Sequence, residues 1–145
     1  MLSIKQLNNQ NENIKELSGV LEYLIKNKEM CSSKVTCDLF LNYAKEVNDH
    51  LQLEEKDVYS PLLNHDDLQI RNTVVDFFNG SLEIKRIFNT YLTTWCKNET
   101  LRVRKHDEFV QETREIFGLV SNRLNAESTI LYPTVIDALS DQVAA

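Results

Sequence analysis

Three glycines and two prolines in 145 residues leave the chain few places to turn, and that scarcity limits its fold more than any other feature. A β sandwich or other turn-rich fold draws heavily on both residues, whereas long helices need neither. The apolar pattern agrees. Leu7, Ile14, Leu17, Leu21, Leu24 and Ile25 recur at intervals of three and four, the spacing of one face of a helix, and predict a helix over 7–26. Asn11 falls on the same stripe.

A polar stretch over 27–33 ends that helix, with Ser32 or Ser33 available to cap the next. A second helix is expected over 34–57, its stripe reading Leu39 or Phe40, Tyr43, Val47, His50 and Glu54. Tyr59-Ser60-Pro61 is expected to break it, because proline disfavours helical geometry in the residue before it. A third helix is expected over 63–97 on a stripe of His65, Leu68, Val75, Phe78, Leu82, Ile87 or Phe88, Tyr91 and Trp95, with Gly80 inside it marking a bend or a close contact. The fourth is expected over 101–129 along His106, Val110, Thr113, Phe117, Val120, Leu124 and Glu127. Tyr132-Pro133 should interrupt it, and 134–143 adds a short amphipathic tail helix. Four long helices with short connections predict an all-α, up-down-up-down antiparallel four-helix bundle in a single domain.

Charge and composition narrow the function. A net charge of −6 and the placement of Arg102, Arg104 and Lys105 among acids argue against a nucleic-acid surface. No apolar run approaches the ~18 residues of a membrane span, and the N-terminus lacks the pattern of a secretory signal, so a cytoplasmic protein is expected. The three cysteines, Cys31, Cys37 and Cys96, form no CxxC and are expected to be reduced, with Cys31 and Cys37 placed as a redox-sensitive pair across a turn. No Gly-rich phosphate loop and no Ser/His/Asp or Cys/His set is apparent, so the chain does not read as an enzyme. A protein partner or a homo-oligomer is compatible with the outer faces, and Phe77 and Phe109 stand off the predicted stripes as self-association candidates.

What remains is a set of polar residues on apolar stripes. In an antiparallel bundle Asn11, His50 with Glu54, His65, and Arg123 with Glu127 all map to one end. His106 does not, since 21 residues of helix place it about 31 Å from Glu127. The sequence also repeats itself. His50-x3-Glu54-x3-Val58-Tyr59-x-Pro61 matches Arg123-x3-Glu127-x3-Leu131-Tyr132-Pro133, and the four-residue spacing turns basic group and carboxylate to one helix face. Imidazole nitrogen and carboxylate oxygen converging from several helices is how bundles build iron-type centres.

On these motifs, together with Glu55 and Asn64-His65, the chain resembles the hemerythrin-like, or HHE cation-binding, domains over its whole length. The resemblance implies a four-helix bundle and a non-haem di-iron centre, used within the family for oxygen binding, iron or oxygen sensing, stress responses or signalling. The chain departs from the family in the ligands. Asn11 or Asn13 stands where the first helix usually supplies histidine, and Arg123 replaces the histidine of the fourth. Two readings follow. In one, His50, Glu54, His65 and Glu127 hold a single metal or an altered di-iron site, with Glu55 or water completing the shell and oxygen- or peroxide-related redox chemistry as the role. In the other, the permanent charge of Arg123 replaces the metal's, no cofactor is bound, and the eroded site belongs to a binding, sensing or interaction module.

Overall fold

The computed structural model describes residues 4–144 and is all-α apart from one two-residue-stranded hairpin. The long helices are α1 (Ile4–Lys26), α3 (Lys34–Glu54), α5 (Leu68–Trp95) and α6 (His106–Ala126). Two short helices, α2 (Lys28–Cys31) and α4 (Ser60–Leu62), sit in the connections, and α7 (Tyr132–Ala144) closes the chain. Helix α1 packs on α3 and α6, while α5 packs on α3, α6 and α7. Among the described residues no helix is long and apolar enough to cross a membrane.

Local chemistry sets the boundaries. Asn27 caps α2 by accepting from the amides of Glu29 and Met30, and of the two candidate serines it is Ser33 that caps α3, through Thr36. Asp67 caps α5 through the Ile70 amide. This moves the start of α5 from the expected 63 to Leu68 and leaves His65 in the preceding turn. Between α5 and α6, strands β1 (Cys96–Lys97) and β2 (Thr100–Leu101) flank Asn98 and Glu99, both at positive φ (53° and 57°), as a tight two-residue hairpin turn requires.

Two expected breaks are absent. Glu55–Tyr59 and Glu127–Leu131 are π-helical turns through which the helix continues, the Ser60 amide reaching Glu55 O and the Tyr132 amide reaching Glu127 O. The wider ladder absorbs one extra residue. Pro61 and Pro133 then fall in the first turn of the next helical segment, where a missing N–H costs little.

The buried stripe of α5 also differs from expectation over its first half. Ile70, Val74, Ser81 and Ile84 face inward, while Leu68 and Leu82 are 60% and 46% exposed. Ser81 hides the true stripe from an apolar count. Phe109 is fully buried against Phe40 and Trp95, and Phe77 packs against buried apolar side chains, so neither is a free surface aromatic.

The core is in two parts. The larger holds Ile14, Leu21, Phe40, Tyr43, Leu51, Phe88, Trp95, Phe117 and Leu124; the smaller holds Leu7, Val58, Tyr59, Val74, Leu131 and Tyr132. Phe40 lies at the centre of the larger, its ring 5.9 Å from Tyr91 and 6.0 Å from Phe109. Phe40→Ala is expected to cost about 3–5 kcal/mol, a fall in melting temperature on the order of 10 °C or more in a thermal scan.

Candidate metal centre in a buried polar layer

Along three of the long helical runs, one polar residue separates the two cores. Asn11 lies between Leu7 and Ile14, Glu54 between Leu51 and Val58, and Glu127 between Leu124 and Leu131. On α5 the corresponding gap between Phe77 and Ile84 holds Gly80 and Ser81. The polar groups therefore do not sit at an open end. They form a layer closed on both sides by hydrocarbon, and His50, Glu54, Glu127 and Asn11 are all at most 1% exposed.

His50 Nε2 lies 2.9 Å from Glu127 Oε1 and 3.4 Å from Glu54 Oε2. Its Nδ1 is 2.8 Å from Gln10 Oε1, which fixes the ring and requires Nδ1 to carry a proton. Tyr132 Oη lies 3.1 Å from Glu54 Oε2, 3.3 Å from Glu127 Oε1 and 3.4 Å from Asn11 Oδ1. The π turn makes this possible: the extra residue rotates Tyr132 back toward the face of Glu127 five positions earlier. Asn11 is tied in further through Ser128, 3.3 Å away.

Arg123 occupies its own recess. Nε donates to Glu127 Oε2 at 3.2 Å, and Nη2 donates to Tyr59 Oη at 2.7 Å and to Phe77 O at 2.6 Å. The guanidinium carbon stands 4.7 Å from the centroid of the Phe77 ring, a cation–π distance. Gly80 makes the room, since a Cβ there would lie 2.6 Å from Nη1. Phe77 O is the carbonyl four residues before Ser81, and the Ser81 hydroxyl is left buried without a partner. Tyr59 and Tyr132 thus fill the smaller core and hydrogen-bond the polar layer as well.

The protons follow from this geometry. Burial works against a charged His50, but the hydrogen bonds to Glu127 and Glu54 outweigh it and hold the imidazole up at about 9. Burial, with the Glu127 charge behind it, pushes Glu54 up to about 8. Burial would raise Glu127 too, yet His50, Glu54 and Arg123 together hold it below the usual carboxylate range. At neutral pH an ionised Glu127 faces imidazolium and guanidinium while Glu54 keeps its proton.

His50, Glu54 and Glu127 could hold a metal ion, their donor atoms lying within 4.8 Å of one another. Bonds of about 2.1 Å to an ion place neighbouring ligand atoms about 3.0–3.4 Å apart, close to the two His50–carboxylate distances. Glu54 Oε1 is also buried without a hydrogen-bond partner, which leaves its lone pairs available to an ion. His65 is not in this group: half-buried in the turn before α5, its Nδ1 accepts from the Asp67 amide at 3.1 Å. Glu55 turns away to Lys85, 2.5 Å distant, and His106 Nε2 bonds Ile25 O at 2.7 Å at the start of α6. Gln10 and the Phe77 carbonyl complete the layer without any signal in residue type or spacing, whereas Gly80 answers to the close contact expected there. Tyr59 and Tyr132 were visible in the repeat. No family model, no curated protein and no solved structure matches this chain.

Two outcomes are expected. Alanine for glycine inside a helix is ordinarily worth about 1 kcal/mol of stability. Gly80→Ala should instead lower the melting temperature, because the guanidinium it meets is pinned by Glu127, Tyr59 and Phe77 O; in an Arg123→Ala background the same change should become stabilising. The second concerns pH. His50 and Glu54 both bind protons more tightly when folded, so their contribution is present at low pH and lost as pH rises, for Glu54 toward about 8 and for His50 through about 9. Urea unfolding should show stability falling from pH 6.5 to 9.5, and His50→Gln should flatten the upper part of that fall.

Proposed function

We propose that the chain is a hemerythrin-like, up-down-up-down four-helix bundle in which Arg123 stands in for a metal, and that it serves in the cytoplasm as a binding, sensing or interaction module. The observation that carries this reading is the recess around the guanidinium. A glycine, an aromatic face, a tyrosine hydroxyl, a backbone carbonyl and a carboxylate all accommodate one permanent cation. A buried carboxylate needs a cation beside it, and Arg123 meets that need for Glu127 without any exogenous ion. A guanidinium in contact with Glu127 also repels a second cation from the same oxygens. Reversible oxygen carriage of the family's usual kind, which draws on several histidines, does not suit a layer with His50 as its one imidazole.

A second reading is favoured by the unpartnered Glu54 Oε1 and the three converging donors. Here His50, Glu54 and Glu127 bind one ion of iron, manganese or zinc, and iron would supply oxygen- or peroxide-related redox chemistry. Gln10 would orient the His50 ring, Tyr132 would hold the carboxylates, and the two apolar cores would exclude water. To bind, an ion must displace the protons held by His50 and Glu54, so affinity should rise steeply with pH.

Elemental analysis of the purified protein, with zinc and ferrous titrations at pH 6 and pH 8, separates the two. The metal-free reading expects far less than one equivalent of metal at either pH. Near-stoichiometric iron, lost in His50→Ala, would overturn it and establish the second.

A further inference from the structure

At the other end of α3, away from the polar layer, the fold brings two thiols to one place. All three cysteines are free. Cys31 is enclosed by the larger core, whereas Cys37 and Cys96 are half-buried.

Aromatic contacts fix the register of α3 against α5. Tyr43 meets Phe88 at 6.2 Å and Phe40 meets Tyr91 at 5.9 Å, so three residues back along α3 correspond to three residues onward along α5. One further turn puts Cys37 opposite Thr94, about 3 Å along the axis from Cys96 at ~1.5 Å per residue. A second contact fixes the lateral position. Glu55 follows Cys37 by about five whole helical turns, so the two share a stripe at ~3.6 residues per turn. Glu55 and Lys85 form a salt bridge across the α3–α5 seam. Cys37 therefore lies on the seam-facing stripe of α3, and Cys96, the first residue beyond α5, follows at nearly the same height. Strand β2 packs on α3 and pairs with β1, whose first residue is Cys96, which keeps the hairpin against the helix. The electrostatics agree: burial pushes the Cys96 thiol up to about 11, and the Cys37 charge adds to the rise.

We infer that Cys37 and Cys96 are a reversible redox pair, whose disulfide staples the start of α3 to the hairpin after α5 on exposure to a hydroperoxide. Cys37 lies in the first turns of α3 and is half-buried, within reach of a small oxidant. Its thiolate attacks one peroxide oxygen, the O–O bond breaks, and a sulfenic acid and hydroxide result, the hydroxide leaving as water once protonated. Cys96 sulfur then attacks the Cys37 sulfenic sulfur. The S–S bond forms, the S–O bond breaks, and the thiol proton leaves with the departing oxygen as a second water. The two sulfurs together give up two electrons, and the peroxide takes them. A small thiol such as glutathione reverses the step by exchange.

Full-length reduced protein should be exposed to a small excess of hydrogen peroxide, quenched by alkylation, and mapped by mass spectrometry without reduction. The expected product is an intramolecular Cys37–Cys96 peptide, with Cys31 alkylated, a mass lower by two hydrogens, and a higher melting temperature that dithiothreitol reverses. Cys31→Ser should form the same bridge; Cys37→Ser and Cys96→Ser should form none and show no oxidant-dependent melting shift. A Cys31–Cys37 link, bridges solely between chains, or overoxidised Cys37 with Cys96 still free would each overturn the inference.

Discussion

The structure depends on one electrostatic constraint: Glu127 is an ionised carboxylate with no access to water, sealed between two hydrocarbon cores. Such a charge is tolerated when cations and hydrogen bonds surround it, and here it has both. His50 approaches Oε1 and Arg123 approaches Oε2, so each oxygen faces its own cation. Residues that look incidental serve these two contacts. Gln10 holds the imidazole from the far side, and Gly80 withdraws its side chain so that the guanidinium can lie flat against α5. Glu54 accommodates the same burial differently, by keeping its proton.

The π turns are the backbone counterpart of this layer. Each begins at or directly after a repeated glutamate and delivers a tyrosine to the polar network, Tyr59 to Arg123 and Tyr132 to the carboxylates. A regular α-helix would carry each tyrosine further round its axis and away from the layer. The inserted residue also moves the following proline into the opening turn of a new segment, so one local adjustment serves both the site and the continuity of the helix. The same tyrosine rings fill the smaller core, which is why hydrogen bonding and packing are not separable roles there.

Much of this was legible in the sequence, for a physical reason: helical periodicity and paired repeats are local. The stripes of α1, α3 and α6, the inward face shared by His50 and Glu54, and the pairing of Arg123 with Glu127 all follow from spacing within one helix. The reading faltered where a non-local or cap contact decided the outcome. Asp67 capping the Ile70 amide set the start of α5, and with it the exclusion of His65. Ser81 takes an apolar position, so apolar spacing alone points to Leu68 and Leu82, which are exposed, instead of the stripe that is buried. Proline read locally predicts a break, and nothing short of the π ladder reveals why the helix survives. Gly80 was noticeable as a glycine, but its purpose lies 43 residues away in Arg123.

Arginine and a metal ion are competing solutions to the same problem, and the layer shows why the choice is close to exclusive. An ion bound by His50, Glu54 and Glu127 would need both carboxylates ionised and the imidazole neutral, in contact with a guanidinium that cannot give up its charge. The layer would then hold three positive charges, two from the ion and one from Arg123, against two negative ones, in a region closed to bulk solvent. Without the ion, one proton on Glu54 and one on His50 leave a single excess positive charge, softened by the Phe77 ring, the Phe77 carbonyl and the tyrosine hydroxyls. Formal charge is thus the same in the two states, and what separates them is where it sits. Two protons spread it over groups already hydrogen-bonded in place, whereas a dication concentrates it beside Arg123 and must first strip those protons away. At neutral pH the protonated layer therefore has the advantage, and it is alkaline pH, where His50 and Glu54 lose their protons, that would turn the balance toward a metal.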